Sequence, residues 1–232
     1  MKILAIETST EACSAALLYN GDIEEQFQIA PRSHGDLILN MVDLLLANAQ
    51  LKPQQLDAIA FGRGPGAFTG VRIATSVTQG IAFGADLPVV PVSTLEIVAQ
   101  GSYRQHGYQN ALCAMDARMG EIYFAAYAKE GDAFKCVTDE QVCKPEDVAP
   151  VDDNISWAGV GSGWGIYSDV LSRRVSVDVN RLDASALPRA MDAVVLAEQC
   201  YQAGKTVSAE EALPVYLRDN VVSKPGIQKR RI

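Results

Sequence analysis

Two stretches of this chain run through the same order of elements, and that repetition limits the fold more than any other feature. The first opens with a short apolar strand, Ile3-Leu4-Ala5-Ile6, then an acidic turn, Glu7-Thr8-Ser9-Thr10-Glu11, then a second apolar strand from Ala12 to Tyr19. Asn20-Gly21-Asp22 is a hairpin signal and starts a third strand, Ile23 to Ile29. Pro31 ends this meander, and a helix is predicted from His34 to about Ala49 with Ser33 as its N-cap. Ala58 to Phe61 then reads as a strand entering Gly62-Arg63-Gly64-Pro65-Gly66. A helix from about Val71 to Phe83, a strand from Pro88 to Val92 and a helix from Thr94 to Tyr103 complete the unit.

The second unit restarts with Leu112 to Met115, the turn Asp116-Ala117-Arg118-Met119-Gly120-Glu121 and the strand Ile122 to Tyr127. Gly131-Asp132 repeats Gly21-Asp22 before a predicted strand from Phe134 to Val142, and Ile155 to Ala158 leads into Gly159-Val160-Gly161-Ser162-Gly163. Three coincidences in one order point to a duplicated α/β unit: two lobes, residues 1–106 and 107–232, each with a β-meander and a mixed sheet flanked by helices. Packed face to face, such lobes set two hairpin turns and two glycine loops around one cleft. That is the plan of the actin-like ATPase (RNase H-like) fold, whose turns hold phosphate and metal through carboxylates and backbone N–H groups.

The candidate anion-binding residues follow from that plan: Glu7 and Thr8 in the first turn, Gly64, Gly66, Thr69 and Gly70 in the loop and helix start, and Asp116 and Arg118 in the second turn. Glu7 and Asp116 could hold Mg²⁺ through water. Arg63 could meet a phosphate or a carboxylate. The same glycines would serve equally to turn a strand into a helix, and the same carboxylates as exposed turn residues. The loop is not a P-loop, since no Gly-Lys-Ser/Thr follows, and no acidic residue stands where a dinucleotide fold needs one. No catalytic residue and no metal site is expected: His34 is followed at i+4 by Ile38 where a metal pair needs a second ligand, and no Ser/His/Asp order suits a hydrolase.

The helix after Ser33 carries too much apolar surface for one buried stripe. Its polar residues, Asp36, Asn40, Asp43, Asn48 and Gln50, form nearly one line, while eight apolar residues cover most of the circumference. A second face is therefore buried too, either by the protein's own other elements or by another chain; for a partner, His34, Leu37, Ile38, Met41, Leu44 and Leu45 are the candidate contacts. Charge speaks against tight nucleic-acid binding by this chain alone. It has 20 Lys+Arg and 28 Asp+Glu, a net −8, and its basic cluster is confined to Lys224, Lys229, Arg230 and Arg231. Five scattered cysteines without a CxxC pair and no long apolar run lead us to expect a cytoplasmic protein without disulfides or a membrane segment.

The opening Ile3-Leu4-Ala5-Ile6-Glu7-Thr8-Ser9-Thr10, the segment Gly64-Pro65-Gly66-Ala67-Phe68-Thr69-Gly70-Val71-Arg72, Asp116-Ala117-Arg118-Met119-Gly120-Glu121 and Pro214-Val215-Tyr216-Leu217-Arg218 together resemble the bacterial TsaB (YeaZ) family over nearly the whole chain. The resemblance implies the actin-like fold and membership of the complex that makes N6-threonylcarbamoyladenosine (t6A) in tRNA. It also implies a non-catalytic scaffold that pairs with the catalytic homologue TsaD or with itself, with the ATPase TsaE as third component and tRNA met only through the complex. No cofactor is then required by this chain, and ATP or ADP with Mg²⁺ belongs to the complex. The alternatives are an ATPase or kinase-like enzyme of the same fold and, with no nucleophile or metal motif behind it, a glycoprotease-like peptidase.

Overall fold

The computed structural model describes residues 1–218; the basic cluster Lys224 to Arg231 lies outside the described residues. The first unit builds β1 (Lys2–Glu7), β2 (Ala12–Tyr19), β3 (Asp22–Ile29), α1 (His34–Asn48), β4 (Ala58–Gly62), α2 (Phe68–Ala85), β5 (Val89–Val92) and α3 (Thr94–His106). The second builds β6 (Asn110–Arg118), β7 (Glu121–Glu130), β8 (Ala133–Cys136), β9 (Gln141–Cys143), β10 (Ala158–Val160), α4 (Ser162–Leu171), β11 (Leu182–Asp183) and α5 (Ala190–Gln202). The strand orders, β3-β2-β1-β4-β5 and β8-β7-β6-β10-β11, are the same order twice, with β1 and β6 each parallel to the strand that enters a glycine loop. The duplicated α/β architecture expected of the chain is therefore present.

Side chains alternate between the two faces of each sheet, as period two requires. From β1, Ile3 and Ala5 point into a core shared by both sheets, whereas Leu4 and Ile6 pack under α1 and α2. In β6, Ala111, Cys113 and Met115 point into the shared core and Leu112 and Ala114 lie under α4. Between the sheets lie α3 and α5, and they are exchanged: α3 of the first unit packs on β6 and β7, while α5 of the second packs on β1, β2, β4 and β5. The segment beyond α5 also returns to the first sheet, with Val207 bridging Val89 and Ala212 buried beneath α2. The strands β1 to β5 thus form one sheet and β6 to β11 the other, whereas α3 and α5 each cross to the other sheet.

Several local expectations are corrected. The strand expected over Phe134 to Val142 breaks into β8 and β9, because the Ala126 N–H turns to the Thr138 hydroxyl at 2.9 Å. The strand expected from Ile155 begins at Ala158, since an Asp152–Ile155 turn takes the preceding residues. Ser33 occupies the N-cap of α1 but makes no capping hydrogen bond with its side chain. No helix among the described residues is long and apolar enough to cross a membrane.

Candidate functional site

The first turn and the first glycine loop fill each other. Glu7 ends β1 fully buried and accepts a hydrogen bond from the Ser9 N–H through Oε1, while Oε2 has no partner among the described residues. A Cβ on Gly62 would overlap that Oε2, one on Gly70 would overlap the Thr8 carbonyl oxygen, and one on Gly66 would come within 2.6 Å of Ser9. The glycines therefore let loop and turn approach backbone to backbone. Two hydrogen bonds tie turn to loop: the Thr8 hydroxyl donates to the Gly70 carbonyl at 2.7 Å and the Ala67 N–H to the Ser9 carbonyl at 2.7 Å. Gly64, at φ +100°, carries the loop past the Val215 carbonyl oxygen.

This geometry answers the expectation of a phosphate and metal site at the first turn. Loss of hydration raises the Glu7 carboxyl to about 7, although the Ser9 hydrogen bonds pull the other way. A carboxyl sealed beneath Gly62 does not fit the role of a Mg²⁺ ligand, and Thr8, Gly66 and Gly70 are committed to packing rather than to a ligand. Thr69 stands apart from them, exposed on the outer side of α2. In the second turn Asp116 is held by its own neighbours: it accepts from the Arg118 N–H and from Arg118 Nη1, each at 2.9 Å, and Ser162 Oγ lies 3.0 Å from its N–H. The Arg118 side chain is 86% exposed. The described residues contain no group of three or more His, Cys, Asp or Glu arranged for a metal.

Where the halves meet, the chain forms a polar cluster that no motif announces. Arg63, from the first glycine loop, reaches the second unit and donates to both Glu140 oxygens, at 3.0 and 3.2 Å. The Tyr127 hydroxyl donates to Glu140 at 2.9 Å, and Ser93 stands 3.3 Å away. Glu96 is raised to about 7 by burial first and by the Glu140 charge second, with Arg63 and Lys205 opposing. Arg63 was open to phosphate or carboxylate in the sequence, and it takes the carboxylate. Glu140 sits in the break between β8 and β9, where no periodicity could mark it.

The candidate interface helix divides sharply. Ile38, Met41 and Leu45 are buried under the first sheet's own side chains, and His34 is buried with Nε2 3.2 Å from the Ala12 carbonyl oxygen. These four residues cannot supply contact area to another chain without unpacking the core, which corrects that part of the expectation. Leu37 is half-buried, and the exposed apolar surface comes from Leu44 and from Leu39, a residue the helical pattern did not single out. Neighbouring α2 adds exposed Phe68 and Phe83. Between the helices lies a cavity of about 430 Å³ whose lining includes Gly35, Phe68, Ile73 and Val77.

Comparison with known proteins agrees over nearly the whole length. The family model described as TsaD, tRNA N6-adenosine threonylcarbamoyltransferase, matches residues 26–225. The tRNA threonylcarbamoyladenosine biosynthesis protein TsaB of Haemophilus influenzae is 43% identical, covering 97% of this chain and 98% of its own, and that of Escherichia coli is 44% identical over 97% and 99%. The solved structure of YeaZ from Pseudomonas aeruginosa superposes with a TM-score of 0.88 at 46% identity, covering 93% of this chain and 99% of that one. With the twice-built actin-like sheet and the interlocked turn and glycine loop, these matches place the chain in the TsaB (YeaZ) family of tRNA threonylcarbamoyladenosine biosynthesis proteins.

Proposed function

We propose that this chain is a non-catalytic subunit in the formation of t6A in tRNA, and that it acts by docking its α1–α2 face on the catalytic homologue TsaD. The observation that carries this reading is the packing of the first turn: Glu7, Thr8, Ser9 and the loop glycines fill the space between turn and loop, which favours the outer helices as the working surface. Leu39 and Leu44 of α1 and Phe68 and Phe83 of α2 are exposed, and Phe68 lines an apolar cavity; exposed apolar side chains of this kind mark a protein interface. The chain would favour the TsaD conformation that it binds, since a ligand of one state raises that state's population. TsaE joins the same assembly, tRNA is met through it, and a homodimer uses the same face when TsaD is absent. The chain needs no cofactor of its own, ATP or ADP with Mg²⁺ belongs to the complex, and its place is the cytoplasm.

The test is threonylcarbamoyl transfer to tRNA in a reconstituted mixture of TsaD, TsaE and the activated threonylcarbamoyl donor. Transfer that requires this chain, with no ATP turnover by the chain alone, is the expected result. Equal transfer without it would end the proposal. Turnover of Mg²⁺-ATP by the purified chain, lost in Glu7→Ala or Asp116→Ala, would replace it with an enzymatic role.

A further inference from the structure

The packing of the glycine loop does not account for Phe68 and Arg72 of the Gly64-to-Arg72 segment. They stand four residues apart, one turn of α2, and both are exposed. Arg72 Cζ lies 3.5 Å from the centre of the Phe68 ring and 5.6 Å from that of Tyr216, and its Nε donates to the Tyr216 hydroxyl at 2.8 Å. Tyr216 is held in place from both sides. The Val215 N–H donates to the Arg63 carbonyl at 2.8 Å, and Arg218 donates to the Ala117 carbonyl at 3.1 Å and to Glu121. Arg63, Arg104, Arg118, Arg189 and Arg218 each pair with a carboxylate, whereas Arg72, like Arg32, Arg173, Arg174 and Arg181, makes no ion pair among the described residues. Only its Nε is hydrogen-bonded there, so both Nη groups keep their donors.

We propose that Arg72, steadied between Phe68 and Tyr216, is the specificity-determining residue of the docking face and receives a carboxylate from an apolar helix of the partner. The inference rests on the docking reading above and names the chemistry of the group recognised. A guanidinium already stacked and bonded through Nε has lost much of its rotamer freedom before binding, and its two remaining nitrogens match a carboxylate's two oxygens. Phe68, Ile73 and Val77 line the cavity beside it, so the fitting partner helix carries an Asp or Glu one turn from apolar side chains that enter that cavity. Charge complementarity also makes the contact selective, since this chain is acidic as a whole and Arg72 is a fixed cation on its docking face.

Isothermal titration of the full chain into TsaD at low and at physiological salt tests this, using wild type, Arg72→Met, Arg72→Lys, Tyr216→Phe and Leu44→Asp. We expect Arg72→Met to weaken pairing about 30-fold at low salt and to flatten its salt dependence, because Met keeps much of the stem and loses the charge. Arg72→Lys should recover only a small part, since an ammonium cannot pair bidentately, and Tyr216→Phe should cost about threefold through the lost Nε bond. Wild-type pairing weakened by Leu44→Asp but indifferent to Arg72→Met at both salts would sink this inference and leave the docking reading intact. Absence of wild-type pairing would sink both. If self-association carries the Arg72 dependence while TsaD pairing does not, the partner assignment is overturned in favour of a second copy, whose exposed Asp36 or Asp43 would supply the carboxylate.

Discussion

Glu7 illustrates how a residue type can be read correctly as special while its burial stays hidden in the sequence. A carboxylate between two apolar strands, facing a glycine-rich loop, is the pattern of a phosphate site, and nothing local says that Gly62 lies directly against it. Its carboxyl, raised by burial to about 7 from an ordinary value near 4.5, makes stability depend on pH. Here the folded state holds a proton that the unfolded state releases. The contribution is therefore fully present below about 4.5, shrinks as pH climbs to about 7, and is gone above, a change of about 3 kcal/mol at 1.36 kcal/mol per unit. Thermal unfolding followed from pH 5 to 7.5 should show a falling midpoint in wild type and a markedly flatter one in Glu7→Gln; parallel curves would refute the assignment. The glycines separate equally cleanly. Gly70→Ala places a methyl on the Thr8 backbone carbonyl, which cannot swing aside, and should cost about 3 kcal/mol or prevent folding. Gly80→Ala, in open space on the same helix, should add about 0.5–1 kcal/mol, and denaturant midpoints read both.

At the scale of elements, the meander of β1 to β3 was legible because its signals are local: apolar runs, an Asn-Gly turn and a proline stop. The face of α1 was not. With eight apolar residues in eleven positions, helical spacing shows that two faces are apolar but not which one meets the sheet; the contacts of β2 and α2 decide it, sending Ile38, Met41 and Leu45 inward. Substitutions at these residues would thus report folding rather than pairing. Leu39→Asp and Leu44→Asp are the informative changes: each should leave the unfolding midpoint within about 0.5 kcal/mol of wild type, as surface substitutions do. Each should weaken association with TsaD at least about tenfold, as loss of a buried apolar contact does. Size-exclusion chromatography with calorimetry measures both, and unchanged association would remove α1 from the interface. Phe68 and Arg72 carried a signal the helical pattern of α1 obscured, an aromatic and a cation at i and i+4 directly after a glycine loop.

The whole molecule is held by the exchange of α3 and α5, and no sequence pattern foretold it, because either helix could have covered either sheet. The two helices are joined by Arg104, whose Nε and Nη2 lie 2.7 and 3.0 Å from the two oxygens of Asp192, a fully buried carboxylate. Removing Arg104 would leave that charge buried without its partner, so Arg104→Met should destabilise by about 3 kcal/mol. The loss should appear as one calorimetric transition for the whole chain rather than as melting of one unit, because the core between the sheets draws on both. Two resolved transitions would show the halves to be independent.

The exchange also sets an order on synthesis. When a ribosome has released the first 106 residues, β1 to β5 can pair and α1 and α2 can cover one face, but the other face waits for α5, which begins at Ala190. Ile3, Ala5, Ala60 and Val90 stay uncovered on that side until most of the remaining chain has been made. The first half is therefore a nascent species with an apolar face and a need for shelter, and the last helix is its clasp. An N-terminal fragment made alone should stick to itself, and supplying residues 107–232 as a separate chain should return it to solution.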